Sequence, residues 1–273
     1  MFNDSDAWVI LSPIEQNIKA KIEKYGTPLK NWDISICRGI LTGCNEAFII
    51  TTEKKNQILA SCKTSEEYRR TVEILRPILR GRDIKRYSYD WADLWLINTH
   101  NGIKEKGIPP INIEEYPAIK AHLDEYWDKI SKRADKGDTP YNLRNCAYME
   151  DFDKPKIVWA DISTEPAFSA LEPGFIINNT CYMITSAPMY ILAILNSKLI
   201  KWFFPKIATD LGKGSRYFKQ FVETIPLIKM SEAEQKILET FLKEKYEQKI
   251  NKLVYDLYNL SEEEQCFIES NSY

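Results

Sequence analysis

Three helix-start motifs near the ends of the chain limit the folds that it can adopt. SPIE (residues 12–15) joins an N-cap serine, a proline at the first helical position and a glutamate three residues after the cap, a pattern that starts helices. SEAE (231–234) and SEEE (261–264) have the same serine-to-glutamate spacing. These motifs predict a helix over residues 13–26, an apolar helical stripe over 237–258 and a short last helix.

The middle of the chain alternates strand-like and helix-like segments. DISICRGI and EAFIITT are rich in Ile, Phe and Thr, and LTGCN between them suits a turn, so we expect a β-hairpin over residues 33–52. KIVWADI and FIINNTCYMIT resemble further strands, whereas residues 65–75, 118–130 and 188–204 resemble helices. The sequence therefore predicts an α+β fold with mixed strands, divided into an entry helix and linker (residues 1–30), a central domain (31–230) and a helical C-terminal extension (231–273).

Composition excludes several classes of protein. With 273 residues, 44% of them hydrophobic, the chain can bury a substantial core. No stretch approaches the roughly 18 to 20 apolar residues of a membrane helix, and the first ten residues lack a signal-peptide pattern, so we expect a cytoplasmic protein. The six cysteines form no C-x-x-C pair, and His100 and His122 share no metal-ligand spacing with them. We expect reduced packing thiols and no metal site.

Charge is segregated along the chain, although the formal net charge is only −2. Residues 69–86 carry a net charge of +5, with seven basic residues against two acidic ones, and residues 198–219 carry another +5. Residues 231–273 carry −5. Because an acidic tail offsets two basic segments, the overall charge does not exclude nucleic acid as a partner.

The two basic segments are candidate DNA contacts. Lysine and arginine neutralise DNA phosphates, and polar or basic side chains read base edges. Neighbouring glycines let the backbone approach a phosphate and donate N–H groups. The predicted DNA-binding residues are Arg80, Arg82, Lys85 and Arg86 as one phosphate clamp, Gly212, Lys213, Gly214, Ser215, Arg216, Tyr217 and Lys219 as a second, and the turn from Thr42 to Asn45 as an approach to bases. The alternative is that these runs are solvated surface, and any single arginine is structural if it pairs with Asp83.

Catalytic motifs are missing from the sequence. It contains no G-x-x-x-x-G-K-[ST] loop, no G-x-G-x-x-G, no G-x-S-x-G and no H-E-x-x-H. Paired carboxylates such as Glu114-Glu115 stand at a predicted helix start, where solvated acids are common. We therefore expect no catalytic residue and no cofactor in this chain, which does not carry out bond-making chemistry alone.

Several stretches, taken in order, resemble one known family. They are GILTGCNEAFIIT, EILRPILRGRDIKRY, EEYPAIKAHLDEYWDKISKR, NLRNCAY, KPKIVWADIS, NNTCYMIT, LAILNSKLIKWFF and KGSRYFKQFVETIPL. Over roughly residues 30–230 they resemble the TaqI-like C-terminal specificity domain, the target recognition domain of adenine-specific DNA methyltransferases and type IIG restriction-modification enzymes. LNS followed by FVETIP is also similar to specificity subunits of type I restriction systems, and LVYDLYNLSEEE is similar to the ends of such chains. One departure is Thr139-Pro140-Tyr141, where relatives often carry a Trp-Tyr pair.

The resemblance implies a sequence-specific double-stranded DNA recognition module that is not catalytic by itself. In the full-length enzymes an S-adenosylmethionine-binding adenine-N6 methyltransferase with an N-P-P-Y motif precedes this region, often with a Mg²⁺-dependent nuclease ahead of it. This sequence contains neither. We therefore expect a C-terminal fragment or a separate specificity module, whose partners are duplex DNA and the methyltransferase and nuclease domains of a parent enzyme that flips the target adenine.

Two alternatives stay open from the sequence. One is a self-contained nuclease with an unrecognised site, which would cleave plasmid DNA in the presence of Mg²⁺. The other is a protein-interaction module of a restriction system, like a type I specificity subunit, whose amphipathic tail docks a partner while the basic runs are plain surface. A salt titration of duplex binding distinguishes this second alternative from DNA recognition.

Overall fold

The computed structural model describes residues 11–208 and 215–271. Its helices are α1 (Pro13–Tyr25), α2 (Asn45–Phe48), α3 (Thr52–Ala60), α4 (Ser65–Ile74), α5 (Pro117–Asp124), α6 (Trp127–Ile130), α7 (Tyr190–Leu195), α8 (Lys198–Phe203), α9 (Lys219–Val222), α10 (Glu232–Lys243), α11 (Glu247–Leu257) and α12 (Glu262–Asn271). Its strands are β1 (Thr27–Pro28), β2 (Ser35–Arg38), β3 (Ile49–Thr51), β4 (Leu75–Leu79), β5 (Ile84–Lys85), β6 (Ser88–Tyr89), β7 (Leu94–Ile97), β8 (Lys156–Ala160), β9 (Ile162–Ser163), β10 (Phe168–Leu171), β11 (Ile176–Ile177), β12 (Cys181–Thr185), β13 (Ser215–Arg216) and β14 (Pro226–Leu227). This mixture confirms the predicted α+β class.

Capping bonds start the helices at both ends of the chain, as the sequence predicts. At α1 the Ser12 backbone N–H donates to the Glu15 carboxylate at 2.9 Å, and Pro13 occupies the first turn. Such bonds satisfy amide groups that the first turn of a helix leaves without a partner. The corresponding bonds at α10 and α12 are Ser231 N–H to Glu234 (2.8 Å) and Ser261 N–H to Glu264 (2.7 Å).

The strands of the described residues form two four-stranded sheets and three smaller pairs. The first sheet has the order β10-β8-β12-β2 and is antiparallel throughout. The second has the order β11-β4-β7-β3, in which β11 runs parallel to β4. The pairs are β1-β14, β5-β6 and β9-β13. Most neighbours are distant in sequence, so the sheets are built from long-range pairings.

The first sheet separates two hydrophobic cores. Successive side chains of a strand point to opposite faces, and in β8 Trp159 packs into one core while Val158 packs into the other. In β12 the same alternation places Ile184 in the first core and Met183 in the second. Helices α1, α7, α8, α10, α11 and α12 complete the first core, and the second sheet with α2 to α6 completes the second. The division into three parts at residues 30 and 230 stays a prediction.

The predicted hairpin over residues 33–52 is wrong. β2 pairs with β12 in the first sheet, whereas β3 pairs with β7 in the second. Between them α2 buries Ala47 and Phe48, and the Nε2 atom of buried His122 lies 2.9 Å from the Ala47 carbonyl oxygen. Each segment contains a short strand, but the first half of EAFIITT belongs to α2, and each strand finds its partner far along the chain.

Each of the long predicted helices is divided into two shorter helices. The segment 188–204 splits into α7 and α8 at Asn196, whose side-chain amide exchanges two hydrogen bonds with the backbone of Phe168 (2.8 and 2.9 Å). The stripe 237–258 splits into α10 and α11 at Lys245, which has a left-handed backbone (φ 57°). Residues 118–130 likewise divide into α5 and α6.

Membrane-spanning helices and metal clusters are not found in the part of the chain that the structure describes. No described helix has both the length and the apolar composition that a membrane crossing requires. Within residues 11–208 and 215–271, no three His, Cys, Asp or Glu side chains are grouped so as to hold a metal ion.

Candidate nucleic-acid interface

A groove of about 430 Å³ lies where β4 and β8 end and the turn between β11 and β12 crosses them. We call it the central groove. It is lined by Asn45, Arg80, Gly81, Arg82, Ala160, Asp161, Ile162, Asn178 and Thr180. The structure therefore brings the predicted base-approaching turn and the start of the predicted basic clamp to one concave surface.

Thr180 fixes the walls of the central groove to each other. Its hydroxyl oxygen accepts a hydrogen bond from the Gly81 N–H at 2.9 Å, and its carbonyl oxygen accepts one from the Asp161 N–H at 2.8 Å. A Cβ atom at Gly81 would lie only 3.1 Å from Thr180 and 3.2 Å from the Cβ of Ala160. The glycine in the basic segment therefore allows close packing of two sheets, in addition to any approach to a phosphate.

Arg80 holds the turn at the groove. Its Nε and Nη2 atoms donate to the two carboxylate oxygens of Asp83 at 3.0 and 2.8 Å, and its backbone N–H donates to the same carboxylate at 2.8 Å. Asp83 is buried, and these hydrogen bonds raise the pKa of the Arg80 guanidinium. The bidentate pair with Asp83 already uses two of the five guanidinium donors, so Arg80 fixes the conformation of the turn at the groove.

Arg82 and Lys85 present free charge to solvent. Both side chains are exposed, and among the described residues Arg82 has no side-chain hydrogen bond or ion pair, while it lines the central groove. The Lys85 ammonium donates only to the Arg82 carbonyl oxygen, at 3.1 Å. Of the predicted first clamp, these two residues are the ones whose charge is available to a phosphate.

Arg86 turns away from the groove towards the C-terminal helices. Its Nε and Nη2 atoms donate to the Asn196 carbonyl oxygen at 3.1 and 2.8 Å, and its Nη1 atom lies 2.8 Å from the carboxylate of Glu247 in α11. The guanidinium also lies over the Tyr87 ring, 4.8 Å from its centroid. The grouping of Arg86 with the phosphate clamp is corrected accordingly, because its donors are used inside the protein.

The turn before α2 uses Thr42 internally and leaves Asn45 exposed. Thr42 is buried, its hydroxyl donates to the Asn45 side-chain oxygen at 2.6 Å, and that hydroxyl accepts from the Cys44 N–H at 3.2 Å. Its placement contradicts a direct approach of Thr42 to a base, because the side chain is enclosed by its own turn. Asn45 is exposed and lines the central groove, and its role as a base contact stays a prediction.

The second predicted clamp is only partly described. Gly212, Lys213 and Gly214 lie outside the described residues, as does the side chain of Ser215. Arg216 is half-buried in β13, with its guanidinium 5.3 Å from the centroid of the Phe218 ring. Tyr217 is 2% exposed and stacks on Phe204 with the ring centroids 4.0 Å apart, so its assignment to the clamp is corrected to a core residue. Lys219 is exposed at the start of α9.

Arg38 is a groove-side cation that the sequence did not single out. Its Nε atom donates to the Asn179 carbonyl oxygen at 2.7 Å, its Nη2 atom lies 3.8 Å from the Asp161 carboxylate, and its side chain is 51% exposed. Burial raises the pKa of Asp161, and the charge of Arg38 opposes this shift. An arginine in a strand is an ordinary pattern for a solvent face, so no local signal distinguished it.

A second groove, of about 390 Å³, adjoins the central groove at residues 178 and 179. Its lining includes Arg38, Arg144, Asn145 and Asn179. Arg144 is 64% exposed and has a distant ion pair with Asp135, at 3.4 Å. The surface around the β11-β12 turn therefore carries guanidinium and amide groups on both sides, which are the groups that bind phosphates and base edges.

Comparison with known proteins identifies a matching family. Residues 76–227 match the family model described as the TaqI-like C-terminal specificity domain. This region contains residues 76–86 of the first basic segment, the first sheet apart from β2, and the β9-β13 pair. The match covers the residues that line most of the central groove.

Solved structures with the same fold include two restriction enzymes. One is the type IIL restriction-modification enzyme MmeI, solved in complex with DNA, at 17% identity and a TM-score of 0.65. Another is the type IIG restriction endonuclease BpuSI, at 13% identity and a TM-score of 0.56. Each alignment covers 90% of this chain but only 36% and 32% of the two enzymes, so the chain spans about a third of their length. At these identities the likeness shows the fold.

Proposed function

This chain belongs to the family of TaqI-like C-terminal specificity domains, and from this premise we propose that its central groove reads a short sequence in double-stranded DNA. The chain is a DNA target recognition module. The observation that supports the groove as its reading surface is the convergence of the exposed side chains of Asn45 and Arg82 with the turn at residues 178–180 on one concave surface. These residues come from three distant segments, which the two sheets and Thr180 hold together.

The chemistry of the groove suits duplex DNA. Exposed arginine and lysine side chains neutralise phosphates and release condensed cations, which makes the affinity depend on salt. Asparagine amides and arginine forks match the acceptor and donor patterns of base edges in the major groove. Arg82 and Lys85 are the phosphate contacts in this proposal, and Asn45 is a base contact. Arg80 and Thr42 hold the turns that border the groove, and Arg86 binds Asn196 and the C-terminal helix α11 away from it.

The proposed partners of the chain are the other domains of a restriction-modification enzyme. We propose that an adenine-N6 methyltransferase, with or without a nuclease, acts on the DNA that this module orients, and that S-adenosylmethionine and Mg²⁺ bind to those domains. The described residues of this chain offer no cluster for a divalent cation, so no step within it is assigned to Mg²⁺. This role would place the protein in the cytoplasm.

Duplex binding by the purified chain tests the proposal. We expect weak binding, with a dissociation constant on the order of micromolar or higher near physiological salt, because the isolated module lacks the rest of the enzyme's DNA cleft. Log affinity should fall linearly with log salt, and the Arg82→Ala variant should bind less tightly than wild type. Arg69→Ala is the matched control, since Arg69 belongs to the same basic run but lies on α4 and does not line the groove.

Two results would contradict the proposal. Binding that does not depend on salt, or that Arg82→Ala leaves unchanged, would remove the central groove as the DNA-binding surface and favour the protein-interaction alternative. Transfer of a labelled methyl group to DNA by the chain alone, or cleavage of plasmid with Mg²⁺, would show chemistry that the proposal assigns to other domains.

A further inference from the structure

A two-stranded antiparallel ribbon borders the central groove. β9 pairs with β13, with Ile162 opposite Arg216 and Ser163 opposite Ser215, and this pair stands outside both four-stranded sheets. Its base is fixed, because the Tyr217 N–H donates to the Asp161 carbonyl oxygen at 2.9 Å and the Tyr217 ring is stacked in the core. The core therefore holds one end of this short ribbon in place.

Ile162 is the most solvent-exposed large hydrophobic residue in the described part of the chain, at 54%. Directly opposed residues of an antiparallel pair have their side chains on the same face, so Ile162 and Arg216 lie side by side. Ile162 also lines the central groove together with Arg82 and Asn178. An isolated exposed isoleucine is ordinary on a protein surface, but this one is placed among the cationic and amide groups that the proposed function uses.

The major groove of B-form DNA accommodates a two-stranded ribbon, and thymine is the base that presents a methyl group there. We propose that the β9-β13 ribbon enters the major groove and that Ile162 recognises the C5 methyl group of one thymine in the target, while Arg216 faces the neighbouring position. This inference rests on the proposed function. It adds Ile162 as a specificity-determining residue, while the other residues of the groove contact the phosphates and supply amide groups.

Replacing thymine by uracil removes this methyl group and leaves base pairing intact, so it isolates the contact. A duplex that the full chain binds preferentially would first be selected from a random-sequence library. Each thymine in it would then be replaced singly by uracil, and affinity would be measured by competition. Wild type should lose about fourfold in affinity at one thymine, the size expected for one buried methyl-sized group.

Three variants make the test specific to Ile162. Ile162→Ala should bind the thymine and uracil duplexes equally. Ile162→Val should retain part of the discrimination, since it keeps the β-branched side chain and loses only the terminal Cδ1 carbon. The matched control is Ile237→Ala on α10, where the isoleucine is 49% exposed but lies outside the central groove. It should discriminate as wild type does. Equal melting temperatures would show that all three variants are folded.

Different failures separate this inference from the proposed function. If the chain selects a sequence but no uracil substitution weakens binding, or if Ile162→Ala still discriminates, the role of Ile162 is refuted while DNA recognition stands. If Ile162→Ala instead loses association with the methyltransferase part of an enzyme and keeps the thymine preference, Ile162 contacts protein and the inference is also refuted. If no sequence is selected at all, both are refuted.

Discussion

Replacing Arg82 should weaken DNA binding, whereas replacing Arg86 in the same basic segment should lower the stability of the fold. Arg82→Ala removes an exposed charge at the central groove. Because one phosphate contact releases about one counterion, the slope of log affinity against log salt should fall by about 0.9 and the affinity by about eightfold near 0.1 M salt. Arg86→Ala removes two hydrogen bonds to the Asn196 carbonyl oxygen and an ion pair with Glu247, whose side chain is 50% exposed.

The expected cost of Arg86→Ala is about 2 to 3 kcal/mol of unfolding free energy, mostly from the hydrogen bonds of the charged group and less from the solvent-exposed ion pair. In a chain of this size that corresponds to a melting temperature lower by about 4 to 12 °C. The salt slope should not change, since Arg86 releases no counterion from DNA.

Thermal melting and anisotropy titrations at several salt concentrations, well below the lowest melting temperature, measure both effects. Glu247→Gln serves as a control that removes only the ion pair, and it should lower the melting temperature by less than Arg86→Ala does. A folded Arg82→Ala protein with the wild-type salt slope would refute the groove as a phosphate-binding surface. An Arg86→Ala protein with an unchanged melting temperature and a reduced slope would refute the structural assignment of Arg86.

Three further predictions concern the fold. Leu238→Ala should lower the free energy of unfolding by about 2 to 5 kcal/mol, because Leu238 is completely buried in the first core. Ile237→Ala, at the exposed neighbouring position, should change it by less than about 0.5 kcal/mol, and denaturant melts of the two variants test this. Gly39→Ala should destabilise by about 1 to 3 kcal/mol or more, since its Cβ would lie 2.0 Å from the Asn178 carbonyl oxygen, and a wild-type denaturation midpoint would contradict that close approach. Burial lowers the pKa of His122 below 6.5. The contribution of the neutral imidazole to stability is therefore fully present above that pH and is lost as the pH falls through the folded-state pKa. Between about pH 7.5 and pH 5.5, the melting temperature should fall more for wild type than for His122→Gln.

Features set by neighbouring residues could be predicted from the sequence. The capping boxes at Ser12, Ser231 and Ser261 depend on a serine and a glutamate three residues apart, so the motif contains the whole cause of the helix start. Strands β8 and β12 could be predicted from their runs of Ile, Val, Met and aromatic residues. Such runs suit a sheet that has a hydrophobic core on each face.

Features that depend on distant partners could not be predicted in this way. The composition of DISICRGI and EAFIITT indicated strands, but nothing near them indicated that β2 would pair with β12 and β3 with β7. The break at Asn196 has the same origin, because the hydrogen bonds that hold the Asn196 side chain come from Phe168 in the distant strand β10. Long-range pairing decided both outcomes, and local propensity carries little information about it.

The basic segment illustrates how this limit affects a functional prediction. Charge density along residues 80–86 predicted a phosphate clamp but did not say which of its arginines are structural. Their roles differ according to where an acceptor lies: Arg80 finds Asp83 three residues away, Arg86 finds an acceptor 110 residues away, and Arg82 has none among the described residues. The first acceptor is visible in the sequence and the second is not. An arginine can therefore be held by an acceptor that no neighbouring residue reveals, and the folded structure identifies Arg82 as the one that has no side-chain partner among the described residues.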